Sequence, residues 1–299
     1  MEWSNENILA FLDFYEAESI VWNSGHNDHK NRNLVYDAWK RIERNMGGRY
    51  SVAETDKCNK CRTEKSYVVL RRKDVYCKNC FLTGTIHKFK ALLGKSRLVR
   101  PNDKVLIYHK IGHPSTALLH FLRTGLDLNT PKKIRFEIDV LFIEDQYQLT
   151  VDERQDVIKK IKEEVTAFGF KIHFIPFIKY ISDNSISEIM EYDNLHISGN
   201  DESKLLANFE KISNTNKNEI MNLMKRRLLV DVAKHLDCKF IFLPDTSVET
   251  ASNLLSNMSL GRGCHVPFDT GFCDDREDVK ILRPLRLFDM KELAFLQQI

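Results

Sequence analysis

The chain lacks any apolar run approaching the roughly 20 residues needed to cross a bilayer, so no membrane partner is expected. Glycine (12) and proline (7) are scarce among 299 residues, which favours long regular elements over a many-turned β-sandwich. Extremes of composition are missing too. Hydrophobic residues at 42% and charged residues at 29% exclude collagen, mucin and wholesale disorder. The opening Met1-Glu2-Trp3-Ser4-Asn5-Glu6 has no basic-then-apolar pattern of a secretory signal, so a cytoplasmic location is expected. In that compartment thiols stay reduced, and the seven cysteines do not read as a disulfide framework.

The net charge of +3 conceals an uneven distribution. Residues 56–104 hold fourteen Lys or Arg against the four acids Asp56, Glu64, Asp74 and Asp103, a local excess of +10. The remainder of the chain is therefore net negative. Such a surplus is the electrostatic footprint of a polyanion partner, with a solvated surface as the bland alternative.

Four cysteines stand in a regular pattern. Cys58-x2-Cys61 and Cys77-x2-Cys80 are separated by fifteen residues, a spacing that matches structural zinc sites. Each pair grips a metal from a tight knuckle, and the runs Tyr67–Leu70 and Asp74–Tyr76 between them read as a two-stranded ribbon. Four thiolates close a tetrahedral site with no open position, so zinc there is structural. His87 and His109 are competing ligands by residue type, but four cysteines already satisfy the metal. Cys238, Cys264 and Cys273 form no such pair and read as small buried side chains.

From the ribbon onward strands alternate with helices. Ile86, Phe89 and Leu93 mark a helix over 83–93. Strands are expected at Lys104–Tyr108, Phe136–Ile143, Phe170–Phe177, Lys239–Leu243 and Val279–Leu282. Between them, helices carry Leu118, Leu119 and Leu122, then Val157–Phe168 up to Gly169, then Ile220–Leu236. Thr246-Ser247-Val248-Glu249 opens a further helix with a capping-box pattern. The fold class is α/β, with a doubly wound, mostly parallel sheet whose ligands sit where strand carboxyl ends meet helix N-termini.

After the first of these strands comes His109-Lys110-Ile111-Gly112-His113-Pro114-Ser115-Thr116. Together with the double CxxC, several stretches here resemble the pyrophosphatase-loop (adenine nucleotide alpha hydrolase-like) proteins. They are His87-Lys88-Phe89-Lys90-Ala91-Leu92-Leu93-Gly94-Lys95, Leu118-Leu119, Leu260-Gly261-Arg262-Gly263, Val266–Phe272 and Leu282-Arg283-Pro284-Leu285-Arg286. More narrowly, the chain resembles the cytoplasmic tRNA 2-thiolation protein 2 family from about Cys58 to the C-terminus. The resemblance implies a heterodimer with a catalytic subunit that thiolates the wobble uridine of tRNA. ATP activates the uridine carbonyl there, and a ubiquitin-like carrier supplies the sulfur. The family usually continues beyond the Lys291–Phe295 region, whereas this chain ends at Ile299.

The phosphate loop of such enzymes follows Ser-Gly-Gly-x-x-Ser, because glycines let backbone N–H groups close around pyrophosphate. Here Gly112 and Ser115 fit the pattern, and Thr116 follows. Ile111 replaces the first serine and His113 the second glycine, and the His113 ring occupies space a phosphate needs. Lys110 and His113 remain as weak anion ligands, so Gly112, Ser115 and Thr116 form a degenerate cofactor loop and ATP binding is expected to be feeble. Sulfur transfer requires an accessible cysteine in a basic setting. Cys264 and Cys273 are weak candidates, and the expectation is a supporting rather than a catalytic role. For tRNA, the expected contacts are Lys88, Lys90, Lys95, Arg97 and Arg100.

The first fifty residues differ. A helix beginning in Ile8–Tyr15 is broken by Ile20-Val21-Trp22-Asn23 and followed by a second helix over Val35–Ile42. This resembles the MADF domain, a Myb-related three-helix DNA-binding module, with Trp22, Tyr36 and Trp39 as core aromatics. It runs to about Val52 and lacks the third, recognition helix. Three parts follow: a partial MADF-like helical segment over 1–54, a zinc ribbon with a basic helix over 55–100, and the α/β domain over 101–299. The leading expectation is a non-catalytic subunit for wobble-uridine 2-thiolation. The alternatives are a catalytic ATP-dependent tRNA sulfurtransferase and a MADF-type DNA-binding protein.

Overall fold

In the computed structural model the described residues are 12–23, 26, 31–47, 57–71, 74–127, 133–183 and 212–298. The expected helix start at Ile8–Phe11 and the end of the MADF-like stretch at Gly48–Val52 lie outside them. The chain divides into two compact units, Met1–Cys80 and Phe81–Ile299.

In the first unit, residues 12–17 are helical, Ser19–Trp22 forms one more helical turn, and α1 spans Arg32–Gly47. The interruption thus falls at Glu18 rather than at Ile20–Asn23, which are not the break. Glu18 carries a bidentate pair with Arg41, Oε1 to Nε 2.6 Å and Oε2 to Nη2 2.7 Å, tying the turn to α1. The buried residues on this face are Ile20, Ala38 and Ile42, with Phe14, Tyr15 and Val21 packed against Ile42. Trp22, Tyr36 and Trp39 are not core: they are 47%, 61% and 43% exposed, because α1 turns its small and aliphatic side inward. Downstream, β1 (Val68–Arg71) and β2 (Asp74–Tyr76) pair antiparallel, Val68 opposite Tyr76 and Val69 opposite Val75, with Val68 and Val75 buried. The ribbon stands where the sequence spacing placed it.

The boundary between the units falls inside α2, Lys78–Ser96. This helix begins five residues earlier than the 83–93 stripe implied, because Cys77 Sγ accepts the Cys80 amide N–H at 3.4 Å and supplies the N-terminal cap. In the second unit, β3 (Lys104–His109), β4 (Glu137–Glu144), β5 (Lys171–Pro176), β6 (Phe240–Phe242), β7 (Cys273–Asp274) and β8 (Lys280–Leu282) form one sheet. Their order is β5-β4-β3-β6-β8-β7, parallel except for β7. The chain winds outward from β3 to β5 on one side and from β6 to β8 on the other, so the direction reverses between β3 and β6. Phe177 is not in a strand, as the sequence pattern suggested; it begins α5 (Phe177–Asp183), a change an apolar run alone does not reveal.

Both faces of the sheet are covered, as continuous apolar strands require. On one face Leu106, Leu141, Ile143, Ile175 and Ile281 pack with Leu228 and Val232 of α6 (Asn214–His235). Elsewhere α3 (His113–Leu126) buries Leu118, Leu119, Phe121 and Leu122. Phe121 stacks on Phe89 of α2 at 5.1 Å and meets Phe288 at 5.3 Å. The helix α4 (Val151–Ala167) starts at a complete capping box, Thr150 with Glu153, and terminates before Gly169, whose φ of +74° favours glycine. A second capping box, Thr246 with Glu249, opens α7 (Ser247–Ser259). The short α8 (Val266–Thr270) and the final α9 (Met290–Gln298) complete the unit.

Candidate functional site

Two sites emerge, one in each unit. In the first, the sulfurs of Cys58, Cys61, Cys77 and Cys80 all lie within 4.8 Å of one another. The first knuckle is a tight turn: the Cys58 amide donates to Glu64 O (2.8 Å), the Arg62 amide donates to Cys58 O (2.8 Å), and Arg62 takes a φ of +57°. An isolated bridge between Lys57 and Lys65 closes its base. The Asn59 amide reaches Val75 O (2.9 Å), joining the knuckle to β2. The second knuckle leads directly into the first turn of α2.

Cys61 and Cys77 sulfurs stand 3.9 Å apart. Metal–sulfur bonds of about 2.3 Å in a tetrahedron separate the sulfurs by roughly 3.8 Å, so the donor set fits a single ion. The thiols are unequal. The Thr63 hydroxyl, then the Glu64 and Thr63 amides, pull Cys61 down to about 6. Burial works against Cys58, but the amides of Cys61, Cys77 and Lys60 outweigh it and lower its pKa. For Cys77 the Cys80 amide pulls downward, yet Glu64, burial and neighbouring thiols push it above the ordinary thiol value. Four thiols this close do not ionise together in the absence of a cation; a divalent metal would hold all four as thiolates. Neither His87 nor His109 belongs to the cluster.

In the second unit, a cleft of about 530 Å³ opens at the carboxyl ends of β3, β4, β6 and β8, where the strand order reverses. The degenerate loop runs along its edge. Gly112 has φ +130° and occupies the N-cap of α3, while Ser115 is buried, its Oγ accepting the Lys110 amide N–H at 2.8 Å. Thr116 lies on the first turn of α3; His109 first, against the opposing effect of burial, and then the Thr116 hydroxyl hold the Glu164 carboxyl below its ordinary value. Ile111 is 54% exposed, and the His113 ring is engaged by Gln297 of α9.

The cations of the cleft are already matched. Lys110 Nζ binds Asp245 Oδ1 at 2.7 Å, and buried Arg283 Nε approaches Asp245 Oδ2 at 3.3 Å. Lys225 pairs with Asp145, and Arg262 with Glu219. Beside them Arg226 meets Asp274 at 2.6 Å, and Arg276 meets the same carboxylate at 2.7 Å. Burial would raise the Asp274 pKa, but these two guanidinium groups hold it down at about 2. At the foot of the loop His109 is buried with neither ring nitrogen hydrogen-bonded among the described residues; Glu164 Oε1 stands 3.8 Å from Nε2. His109 therefore lines the cleft, a role spacing did not reveal.

Cys264 and Cys273 are not brought into this cleft. Cys264 is exposed in a turn at Gly263–His265, not buried as its residue type suggested. Cys273 is half-buried, and burial first, then Asp275, pushes its thiol up, the wrong direction for a nucleophile. Cys238 is a packing residue, pushed up to about 11 by burial.

The basic residues expected at tRNA separate. Lys88 Nζ binds Glu292 of α9 at 2.8 Å and sits 4.4 Å from the Phe288 ring centre, so its charge is used inside the fold. Arg97 is exposed in a turn with φ +52°. Lys90, Lys95 and Arg100 line one concavity, with Lys133 and Arg135 beside them.

Comparison with known proteins agrees with this architecture. The chain is 26% identical to cytoplasmic tRNA 2-thiolation protein 2 of Xenopus tropicalis, covering 80% of this chain and 57% of the relative. The Homo sapiens protein of that name is 27% identical over 80% and 56%, and the Anopheles gambiae protein 29% over 79% and 57%. The chain thus spans a little over half the length of these relatives. A solved U34-tRNA thiolase, NcsA from Methanococcus maripaludis with its [4Fe-4S] cluster, superposes with a TM-score of 0.59 at 19% identity, covering 82% of this chain and 72% of that one. This likeness shows the fold. A family model described as alcohol dehydrogenase transcription factor Myb/SANT-like, of the MADF type, matches residues 11–78, past Val52 and through the ribbon. In sequence over four fifths of its length the chain is similar to cytoplasmic tRNA 2-thiolation protein 2, in fold to the U34-tRNA thiolase NcsA, and over residues 11–78 to the MADF-type family model.

Proposed function

We propose that this chain is a non-catalytic subunit of a cytosolic complex that 2-thiolates the wobble uridine of tRNA. In this reading it holds tRNA and a catalytic pyrophosphatase-loop partner, and a ubiquitin-like carrier brings sulfur to the complex. The observation that carries the reading is the state of the loop. It sits at the switch point where this fold binds nucleotides, yet one amide is spent on Ser115, the Lys110 ammonium on Asp245, and only Gly112 supplies glycine freedom. A phosphate entering the cleft would have to displace those ion pairs. The catalytic alternative needs a thiolate at the cleft, and the raised pKa of Cys273 and the position of Cys264 oppose it. The MADF match favours DNA, but after α1 the described residues form a cysteine ribbon rather than a third helix.

Zinc is the metal this reading assigns to the cysteines, because a four-iron cube would hold its thiolates further apart than the observed spacing. Copurification of the tagged full chain from cells tests the whole reading. A second pyrophosphatase-loop protein and tRNA should accompany it, and loss of the chain should deplete 2-thiolated wobble uridine. Unchanged thiolation in cells lacking the chain would remove the proposal.

A further inference from the structure

At the amino ends of β3 and β4, the opposite end of these strands from the loop cleft, lies a groove of about 580 Å³. One wall is the last turns of α2 with Lys90 and Lys95. A second is the 97–101 turn with Arg100, and the third is the segment leading into β4, with Lys133 and Arg135. None of these five cations has an ion-pair partner among the described residues. That contrasts with the cleft, where each cation is matched to a carboxylate.

We propose that this groove binds the sugar–phosphate backbone of RNA, through Lys90, Lys95, Arg100, Lys133 and Arg135. The proposal rests on the tRNA reading above and deepens it by naming the surface.

Three observations carry it. The lining contains no Asp, Glu, Asn, Gln, Ser or Thr side chain, so apart from the His87 ring its polar side chains are all cationic donors. An RNA backbone presents acceptor-rich phosphates to such a surface, whereas a peptide backbone would leave its own N–H groups without partners. The floor is apolar, formed by Leu93, Val99, Ile134 and Phe136, and suits ribose or base faces more than a second row of charges. The walls are also held in place before any ligand arrives. The Asn102 amide donates to Arg135 O at 2.7 Å, and the Arg100 amide donates to Asp103 Oδ2 at 2.7 Å. Asp103 is in turn fixed by Lys239 at 2.8 Å, so little ordering remains for binding to oppose. Partial burial lowers the pKa of Lys90, a cation short of counter-charge that an arriving phosphate would supply.

Lys133 and Arg135 lie some thirty residues beyond the basic segment and join it only through the fold. Lys88, inside that segment, is excluded by Glu292.

The test uses the full chain, mixed elongator tRNA and a salt titration. In the Lys90→Met/Lys133→Ala/Arg135→Ala variant, three lost phosphate contacts should make the slope of log affinity against log salt shallower by about two to three. Affinity near 0.1 M salt should fall by about tenfold or more. Lys133 and Arg135 are exposed, so the Lys133→Ala/Arg135→Ala pair carries the test if the triple variant unfolds, with a slope change of about two. Lys88→Ala should leave the slope unchanged. A wild-type slope and affinity in the folded variants overturns the proposal, as does absence of tRNA binding by the wild-type chain. Polyglutamate competing as well as tRNA overturns it in favour of an acidic protein partner. If wild-type chain restores thiolation in deficient cells while the variants bind tRNA normally, only the groove has failed; altered slopes without restored thiolation sink the subunit reading alone.

Discussion

Arg154 and Glu144 show what single residues decide here. Both are almost wholly buried, Arg154 at 2% exposure and Glu144 at 1%, and Arg154 Nε donates to Glu144 Oε1 at 2.8 Å. Such a pair adds little over apolar packing, but removing one partner strands the other charge. Arg154→Ala should therefore cost about 3–5 kcal/mol, read as a drop in the urea midpoint, with Glu144→Gln milder because it still accepts a hydrogen bond. The loop gives a second residue-level prediction. Ile111→Ser with His113→Gly restores two loop positions around a Gly112 already in a permissive conformation. Calorimetry should show ATP binding improved by about tenfold, the equivalent of one added charge-assisted hydrogen bond, over a weak or undetectable wild-type signal. Equal heats for both proteins would mean that the ion pairs of Lys110 and its neighbours, not the two side chains, block the site.

At the scale of elements, α2 joins metal site and domain through one cap. Cys77 serves both as a cluster sulfur and as the acceptor for the first turn of the helix, so its loss should fray the helix as well as open the site. In the Cys58→Ser/Cys77→Ser protein, metal analysis should show the one bound equivalent gone, and hydrogen exchange should quicken across residues 57–80. Metal content equal to wild type would rule out this cluster as the ligand set. The CxxC spacing made the ribbon legible because ligand geometry leaves few alternatives. The start of α2 was not legible, since a sulfur cap has no periodic signature. Likewise the aromatic residues of α1 pointed inward by residue type but outward in the fold, because Ala38 and Ile42 form the face that is covered.

For the molecule as a whole, carboxylates held by cations set the response to acid. Asp139, pulled down chiefly by His173 and also by Lys104, and Asp274, held by Arg276 and Arg226, both have pKa values of about 2. Asp103 and Glu164 are lowered as well. A carboxylate whose folded pKa lies below its unfolded value stabilises the fold fully above the unfolded value. That contribution fades as pH falls through the folded one. Stability should thus be flat near neutrality and decline from about pH 4 towards pH 2, followed by circular dichroism. Asp274→Asn should lower stability at pH 7 by about 2 kcal/mol, since among the described carboxylates Arg276 would keep only Asp269 and Arg226 only the longer contact to Glu277, and should flatten the acid limb.

The sequence by itself determined the element alternation, the parallel sheet, the capping box at Thr246–Glu249 and the four-cysteine cluster. Each of these follows from local periodicity, from hydrogen bonds within a few residues or from a fixed ligand spacing. The family resemblance was legible because its motifs occur in order along the chain. Charge run and loop motif, by contrast, did not say which of their groups were free. Only the tertiary structure matched Lys88 to Glu292 across 204 positions and Lys110 to Asp245 across 135, and carried Lys133 and Arg135 to the side of Lys90. An ion pair forms between neighbours in space, and its strength falls off within a few ångströms, so which cations stay available to a ligand is settled by packing.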